Sequence, residues 1–416
     1  MENTDLYLSN TSRDSIIKRF FSLWAILYVF AFIVTSQFGA PIPLLEPTVV
    51  WFGKTFLNLA DLQKITNTGS GDTAYDYVLI LLMIILSFLF SIIILLINRK
   101  QKNYRQLYLF AIVIARYYVA LTMLSYGFAK IFNGQFPANG YTRLDEKVGD
   151  MSPMGLVWTF MGASRTYTFI SGLLEFTGGA LLLFRKTKTF GALFAMTVMV
   201  NVTLLNFLYD VPVKIFSLHI VLLCVFILSY DWKILYNFFV RHRTEKLDYN
   251  KLRVKRKWMQ VSLQVIKLLL IIGIFYMNIT GLWGTLKPTV VPMEGAYTVK
   301  KFILGSDTAS AAIHKDSITW SKMYLEYKDW VSIRYNSDTT LWKNIEIDTV
   351  SKTFTLKNTD STQYALLHYK LQNDTLLLSG MIQKDSANIL FIRKQKKDYS
   401  LVKRGFRWVN SYPPNW

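Results

Sequence analysis

Residues 77–97 read YVLILLMIILSFLFSIIILLI and are the strongest structural signal in this chain. The run has no charged side chain, and a helix needs roughly 20 such residues to cross a bilayer core of about 30 Å. The whole chain of 416 residues is 52% hydrophobic. Segments of this character predict seven membrane-spanning helices, at 20–38, 77–97, 107–128, 167–184, 189–209, 211–228 and 261–281.

Basic residues cluster between these segments. Lys and Arg number 47 against 27 Asp and Glu, which gives a formal charge of +20. The clusters precede the first span and follow the second, fourth and sixth, so seven spans place all of them on one side of a membrane. Because loops rich in Lys and Arg stay in the cytoplasm, the pattern predicts a cytoplasmic N-terminus and an external C-terminal part. It also accounts for the positive charge without a nucleic-acid partner.

The C-terminal part has a different periodicity. From Gly295 onward apolar residues alternate with polar ones, and turn residues recur every 8–12 positions or so. Candidate strands lie at 296–303, 318–326, 330–335, 341–347, 353–357, 364–371, 375–381, 388–393, 400–402 and 406–409. A meander of eight to ten short strands predicts an all-β extracytoplasmic domain, either a small barrel or a sandwich.

Three polar residues are predicted near the middle of the membrane: Arg116, Glu175 and Asn201. A charge at that depth is costly unless it has a partner. We therefore expect Arg116 and Glu175 to form an ion pair. The pair either locks the helices together or forms part of a proton or ligand site, and the sequence leaves both alternatives open.

A second polar group is predicted in the outer half of the membrane: Lys130, Asn206, Asp210, Lys214 and His219. Cationic donors, an imidazole and apolar walls are what a pocket for a quinone ring or a polar lipid headgroup needs. The alternative is an Asp210–Lys214 pair at a helix end, with Lys130 extending to the interface and no ligand. The loop 133–165 is predicted to be ordered and external. It is either a lid whose Asp145, Glu146, Lys147 and Asp150 supply charge to the mouth of this pocket, or a plain structural loop.

Several redox chemistries are excluded by single residues. Cys224 is the only cysteine, which rules out an intramolecular disulfide, a dithiol pair and an iron–sulfur cluster held by cysteines. His219 is the only histidine in a predicted span, which rules out a haem held by two histidines within the bundle. We expect no metal, and quinone is the one cofactor that the polar cluster suggests.

Two motifs resemble the DoxX family of four-helix membrane proteins. They are Arg116 followed by YGFAK at 126–130, and EFTGG at 175–179. The stretches QFP at 135–137, SPMG at 152–155, WTFMG at 158–162 and YDVPVK at 209–214 resemble a longer subgroup from Bacteroidota that carries a C-terminal β-domain. The resemblance implies a bacterial inner-membrane protein with a periplasmic β-domain, and it carries over no set of ligand-binding residues.

With this resemblance, the chain divides into five regions. They are an N-terminal region with two spans (1–106), a DoxX-like four-helix core (107–236), a basic cytoplasmic loop (237–260), a seventh span (261–284) and a periplasmic β-domain (285–416).

Three functions fit this organisation. The first is a membrane protein that binds a quinone or lipid and takes part in membrane-linked redox chemistry, since the DoxX family includes subunits of thiosulfate:quinone oxidoreductase. The second is a non-catalytic envelope subunit or assembly factor whose periplasmic β-domain binds a protein partner. The third is a lipid carrier, which a hollow β-domain would favour. The sequence does not decide whether the protein is an enzyme.

Overall fold

A computed structural model describes residues 14–37, 43–65, 71–244, 257–286, 290–305, 319–403 and 405. The chain forms two compact units. The helical unit comprises Met1–Gln135 and Thr166–Leu282, and the β unit comprises Phe136–Arg165 and Trp283–Trp416.

Helices dominate the first part of the chain. In chain order they are α1 (Ile16–Gln37), α2 (Leu45–Phe56), α3 (Ala74–Ile97), α4 (Arg105–Ile131), α5 (Tyr141–Leu144), α6 (Pro153–Ala163), α7 (Arg165–Leu183), α8 (Lys188–Leu208), α9 (Lys214–Leu228), α10 (Trp232–Phe239) and α11 (Lys257–Leu286). Helices α5 and α6 belong to the β unit. Helix α2 was not predicted, because its apolar residues are too few for a membrane span.

Within the described ranges, six helices are long and apolar enough to cross a membrane: α1, α3, α4, α7, α8 and α11. A seventh results only if α9 and α10, which are bent by 84° at the break between them, count as one span. The predicted span 211–228 is therefore partly wrong. Helix α9 has 15 residues, or about 22 Å at 1.5 Å per residue, which is shorter than a bilayer core.

Glycines hold α4 and α7 at close range. A Cβ atom at Gly127 would lie 2.7 Å from the backbone nitrogen of Phe176, and one at Gly179 would lie 2.7 Å from the carbonyl oxygen of Ala120. Neither site has room for a side chain, so the two backbones touch directly. Gly179, the last residue of the EFTGG motif, therefore serves the packing of α7 on α4.

The β unit contains a closed antiparallel barrel of eight strands. The strands are β1 (Gly295–Leu304), β2 (Trp320–Leu325), β3 (Trp330–Tyr335), β4 (Thr340–Asp348), β5 (Thr353–Lys357), β6 (Gln363–Gln372), β7 (Thr375–Ile382) and β8 (Asp385–Lys394). Each strand pairs with the next, and β8 closes the barrel on β1. The predicted all-β domain is thus confirmed, in its barrel form.

Two predicted strands need comment. Residues 400–402 are not a strand, because Ser400–Lys403 forms the short helix α12. The predicted strand 406–409 lies outside the described residues, as do residue 318 and part of the predicted basic loop 237–260.

The barrel interior is filled by large side chains. Tyr297, Trp320, Phe354 and Phe391 are each at most 1% exposed and belong to one apolar cluster. Trp320 and Phe391 lie with ring centroids 6.4 Å apart. A packed interior of this kind disfavours the barrel as a lipid acceptor.

The loop before α7 packs on the barrel wall. The Thr142 hydroxyl donates to Glu326 at 2.6 Å, and the Lys322 ammonium donates to Asp145 at 2.8 Å. The loop is ordered, as predicted. Two of its acidic residues are paired with cations of the β unit: Asp145 with Lys322, as above, and Glu146 with Arg143 at 2.7 Å. The pairing of Asp145 and Glu146 within the β unit matches the alternative of a plain structural loop.

Candidate functional site

The most buried ion pair of the helical unit joins Lys130 on α4 to Glu175 on α7. The Lys130 ammonium lies 2.6 Å from both carboxylate oxygens. The two side chains are only 7% and 3% exposed. Such a pair is held by mutual attraction and two charge-assisted hydrogen bonds in a site with little solvent.

The predicted Arg116–Glu175 pair is wrong. The Arg116 guanidinium lies over the ring of Tyr117 instead, 4.8 Å from its centroid. The reason is the direction of side chains, which lean towards the N-terminus of their own helix. Because α4 and α7 run antiparallel, Lys130 and Glu175 lean towards each other, whereas Arg116 leans away from Glu175.

The other residues of the predicted outer cluster do not converge on one pocket. Asp210 and Lys214 form a pair at 2.6 Å in which Asp210 is 79% exposed, which matches the helix-end alternative. Asn206 is buried. Asn201 is exposed on the surface of α8, so it does not share the buried interior that holds Arg116 and Glu175.

His219 is buried between α1 and α9. Its Nδ1 lies 2.7 Å from the carbonyl oxygen of Ile215, and its Nε2 lies 2.6 Å from the hydroxyl of Tyr28. A carbonyl only accepts, so in the neutral ring Nδ1 carries the hydrogen and Tyr28 donates to Nε2. The imidazole also stacks on Phe32, with ring centroids 4.2 Å apart and planes within 10°.

A cavity of about 170 Å³ lies beside Phe32. It is bounded by the last turns of α1, the start of α3 and the start of α9. Its lining residues are Phe32, Thr35, Ser36, Gly71, Asp72, Asp76, Leu79, Ile80, Met83, Val213, Ile215 and Phe216. None of the five ligand-binding candidates lines this cavity. His219 contacts its wall by stacking on Phe32, and the backbone nitrogen of Lys214 donates to the lining residue Asp72.

Asp72 and Asp76 shape the polar side of the cavity. The Asp72 carboxylate accepts from the backbone nitrogens of Lys214 at 2.6 Å and Ile215 at 2.9 Å, which caps the first turn of α9. The Asp76 carboxylate accepts from the backbone nitrogen of Thr73 at 2.8 Å and closes a capping box on α3. Both carboxylates thus fix helix ends while facing the cavity.

Sequence reasoning missed a second buried polar centre, around Asp231. This residue lies at the break between α9 and α10 and is 2% exposed. Its carboxylate accepts from the Thr189 hydroxyl at 2.5 Å and pairs with Lys188 at 3.1 Å. The available signal was an acidic residue beside a strongly basic region.

Metal binding finds no support in the part of the chain that the structure describes. There, no group of three or more His, Cys, Asp or Glu side chains is placed to hold a metal ion.

Comparison with known proteins gives one informative relative. No protein-family model matches the chain, and no solved structure matches it. A protein of Bacillus subtilis (strain 168) described as "Uncharacterized protein YwoB" is 30% identical over 116 residues, which cover 28% of this chain and 73% of that protein. The resemblance to the DoxX family therefore stays a prediction.

Proposed function

The chain belongs to the family of the Bacillus subtilis protein YwoB, and we propose that it is a polytopic membrane protein that binds a quinone in the outer half of its helical unit. In this proposal it lies in a bacterial inner membrane with its N-terminus in the cytoplasm and its barrel in the periplasm. The observation that carries the proposal is the cavity beside Phe32 and His219.

The size of the cavity suits one ring. Its volume is about 170 Å³, and a cavity of about 150 Å³ in another protein binds benzene. Phe32, Ile80 and Phe216 offer apolar walls, while Thr35 and Ser36 add hydroxyl groups. A quinone head has this combination of an apolar ring and polar carbonyl oxygens.

The charges around the cavity favour a quinone over an anionic lipid headgroup. Asp72 and Asp76 place two carboxylates on the cavity wall, and these would repel a phosphate. Lys130, a cation of the predicted outer cluster, is held by Glu175 and does not line the cavity. A neutral ring meets no such repulsion.

His219 acts in this proposal as a positioning residue. It holds the Phe32 ring by stacking, and Tyr28 and Ile215 hold its two nitrogens. The Phe32 wall of the cavity is therefore fixed in place before a ligand enters. The proposal concerns quinone binding and assigns no redox step.

The test compares two identical substitutions on α3. The full chain is extracted in native-lipid nanodiscs, and the bound quinone is quantified by mass spectrometry for the wild type, Leu79→Phe and Leu81→Phe. Leu79 lines the cavity, whereas Leu81 is exposed on the same helix. We expect about one quinone per chain in the wild type and Leu81→Phe, and a loss in Leu79→Phe. Equal quinone in all three, or none above the level of the bulk lipid, would refute the proposal.

A second candidate function is partner binding by the barrel, as a non-catalytic envelope subunit. The observation that favours it is an aromatic patch, formed by Tyr327, Trp330 and Trp342, on the outside of the barrel. Trp330 and Trp342 are 40% and 41% exposed, and Tyr327 lies 5.7 Å from Trp342 between ring centroids. Exposed Trp and Tyr are enriched where proteins dock.

Site-specific crosslinking tests this second function. A photoreactive residue replaces Trp330 in the full chain, and the matched control places it at Val350, which is 91% exposed. A discrete protein adduct formed only from position 330 supports a docking surface. Identical adducts from both positions contradict it.

A further inference from the structure

A groove lies between the beginning of α1 and the end of α3, at the opposite end of α1 from the proposed quinone cavity. Its volume is about 560 Å³, within the range of roughly 300–1,000 Å³ typical of ligand sites. Apolar side chains cover most of its wall, among them Phe20, Phe21 and Leu96, and two arginines, Arg19 and Arg99, also line it.

Arg19 has unused capacity to donate hydrogen bonds. It is only 3% exposed, yet its hydrogen bond to the carbonyl oxygen of Asn98 is long, at 3.3 Å. Its Nε has no hydrogen-bond partner among the residues described. Nor does any described carboxylate lie within ion-pair distance of it. A buried guanidinium without an anion is costly, and a phosphate would match its fork of donors.

The surroundings of the groove are basic as well. Lys100, Lys102 and Arg105 follow Arg99 in sequence. A net negative ligand is therefore favoured over a zwitterionic one, whose positive headgroup would meet these cations. A long apolar wall beside an arginine pair suits a molecule with both an anionic head and a hydrocarbon chain.

We propose that this groove binds one anionic phospholipid. Its phosphate lies on Arg19 and Arg99, and one acyl chain lies along Phe20, Phe21 and Leu96. Basic pockets between membrane helices on the cytoplasmic side recognise such headgroups. The inference rests on the membrane-crossing part of the proposed function and is independent of quinone binding.

The test measures lipid preference in the full chain. Purified protein, delipidated in a neutral detergent, is mixed with equal amounts of phosphatidylglycerol and phosphatidylcholine, and native mass spectrometry counts the bound lipids. We expect the first lipid to be phosphatidylglycerol with about tenfold preference. Both lipids carry the phosphate, but only phosphatidylcholine adds a positive group, which the neighbouring basic residues repel. Arg19→Gln and Arg99→Gln should each reduce that preference at least about fivefold.

Lys186→Gln is the matched control, because this lysine is exposed, belongs to a different basic cluster and lies outside the groove lining. It should keep the preference. Arg99 is itself exposed, so Arg99→Gln should fold even if the buried Arg19→Gln variant does not. Equal binding of the two lipids by the wild type, or an unchanged preference in Arg99→Gln, would overturn the inference.

Extraction of membranes with alkaline carbonate separates the two proposals. Release of the wild-type chain would refute membrane crossing and both proposals with it. A chain that stays embedded but shows no lipid preference would refute the groove alone.

Discussion

Glu175→Gln should destabilise the helical unit by about 3–5 kcal/mol. The substitution keeps the size of the side chain but removes its charge. Lys130, 7% exposed and 2.6 Å from the carboxylate, would then be a buried ammonium with a neutral amide as its partner. Burial of an ion without its counter-charge costs several kcal/mol, which is the origin of this estimate.

Removal of both charges provides the control. In a Lys130→Met/Glu175→Met variant no ion is left in the apolar interior, and the site becomes hydrophobic at similar volume. Replacement of a whole buried pair is often neutral or stabilising. We therefore expect the double variant to be more stable than Glu175→Gln, although it lacks one more charged group.

The assay is thermal denaturation of the full chain fused to a green fluorescent protein. Detergent extracts are heated in steps, and the surviving monodisperse peak is followed by size-exclusion chromatography. A loss of 3–5 kcal/mol corresponds to a fall in Tm of about 10 °C for a unit of this size. If Glu175→Gln melts with the wild type, or the double variant melts no higher than the single one, the pair does not hold the bundle together and a functional role for it gains weight.

Four further predictions concern other contacts. Gly127→Ala should lower the free energy of unfolding by about 1–3 kcal/mol, because the added Cβ would lie 2.7 Å from the Phe176 nitrogen. Its control is Gly273→Ala, where no atom lies within 4 Å of the added Cβ; this variant should melt at or above the wild-type Tm. Lys214→Ala should change stability by less than about 1 kcal/mol and leave bound quinone unchanged, since its partner Asp210 is exposed; loss of folding would contradict this. Asp145→Asn should weaken the contact with Lys322 by about 1 kcal/mol and speed proteolysis within 136–165, whereas Asp150→Asn, exposed in the same loop, should not. Burial raises the pKa of Tyr297 to about 12 from its ordinary value of 10.0. The neutral phenol therefore contributes fully to barrel stability below pH 10. As the pH rises from 10 towards 12, the free energy of unfolding falls by about 3 kcal/mol. Tyr297→Phe should therefore flatten the alkaline loss of stability measured by tryptophan fluorescence, and an unchanged slope would contradict the assignment.

The candidate site was only partly predictable. Polar residues at membrane depth are conspicuous in a sequence, so Lys130, Glu175 and His219 were all identified. Their partners were not, because a pairing depends on which way each side chain leans and on the register of two antiparallel helices. The cavity was missed for the same reason. It is lined by Asp72 and Asp76, which the hydropathy pattern places outside the spans, and by hydroxyl groups of α1 that only folding brings to α3 and α9.

Periodicity alone determined the two-part architecture of this protein, since a long apolar run permits little but a buried or membrane helix and alternation permits little but a strand. Eight of the predicted strands correspond to strands of the closed barrel. Tertiary structure decided the rest. The loop 136–165 belongs with the barrel because Thr142 and Asp145 find partners on β2 and the turn that follows it. Glycines bring α4 and α7 into direct contact, and Glu175 pairs with Lys130 instead of Arg116 because the side chains of Lys130 and Glu175 lean towards each other across that contact. Such contacts join residues far apart in the chain, and local sequence carries no record of their distance or direction.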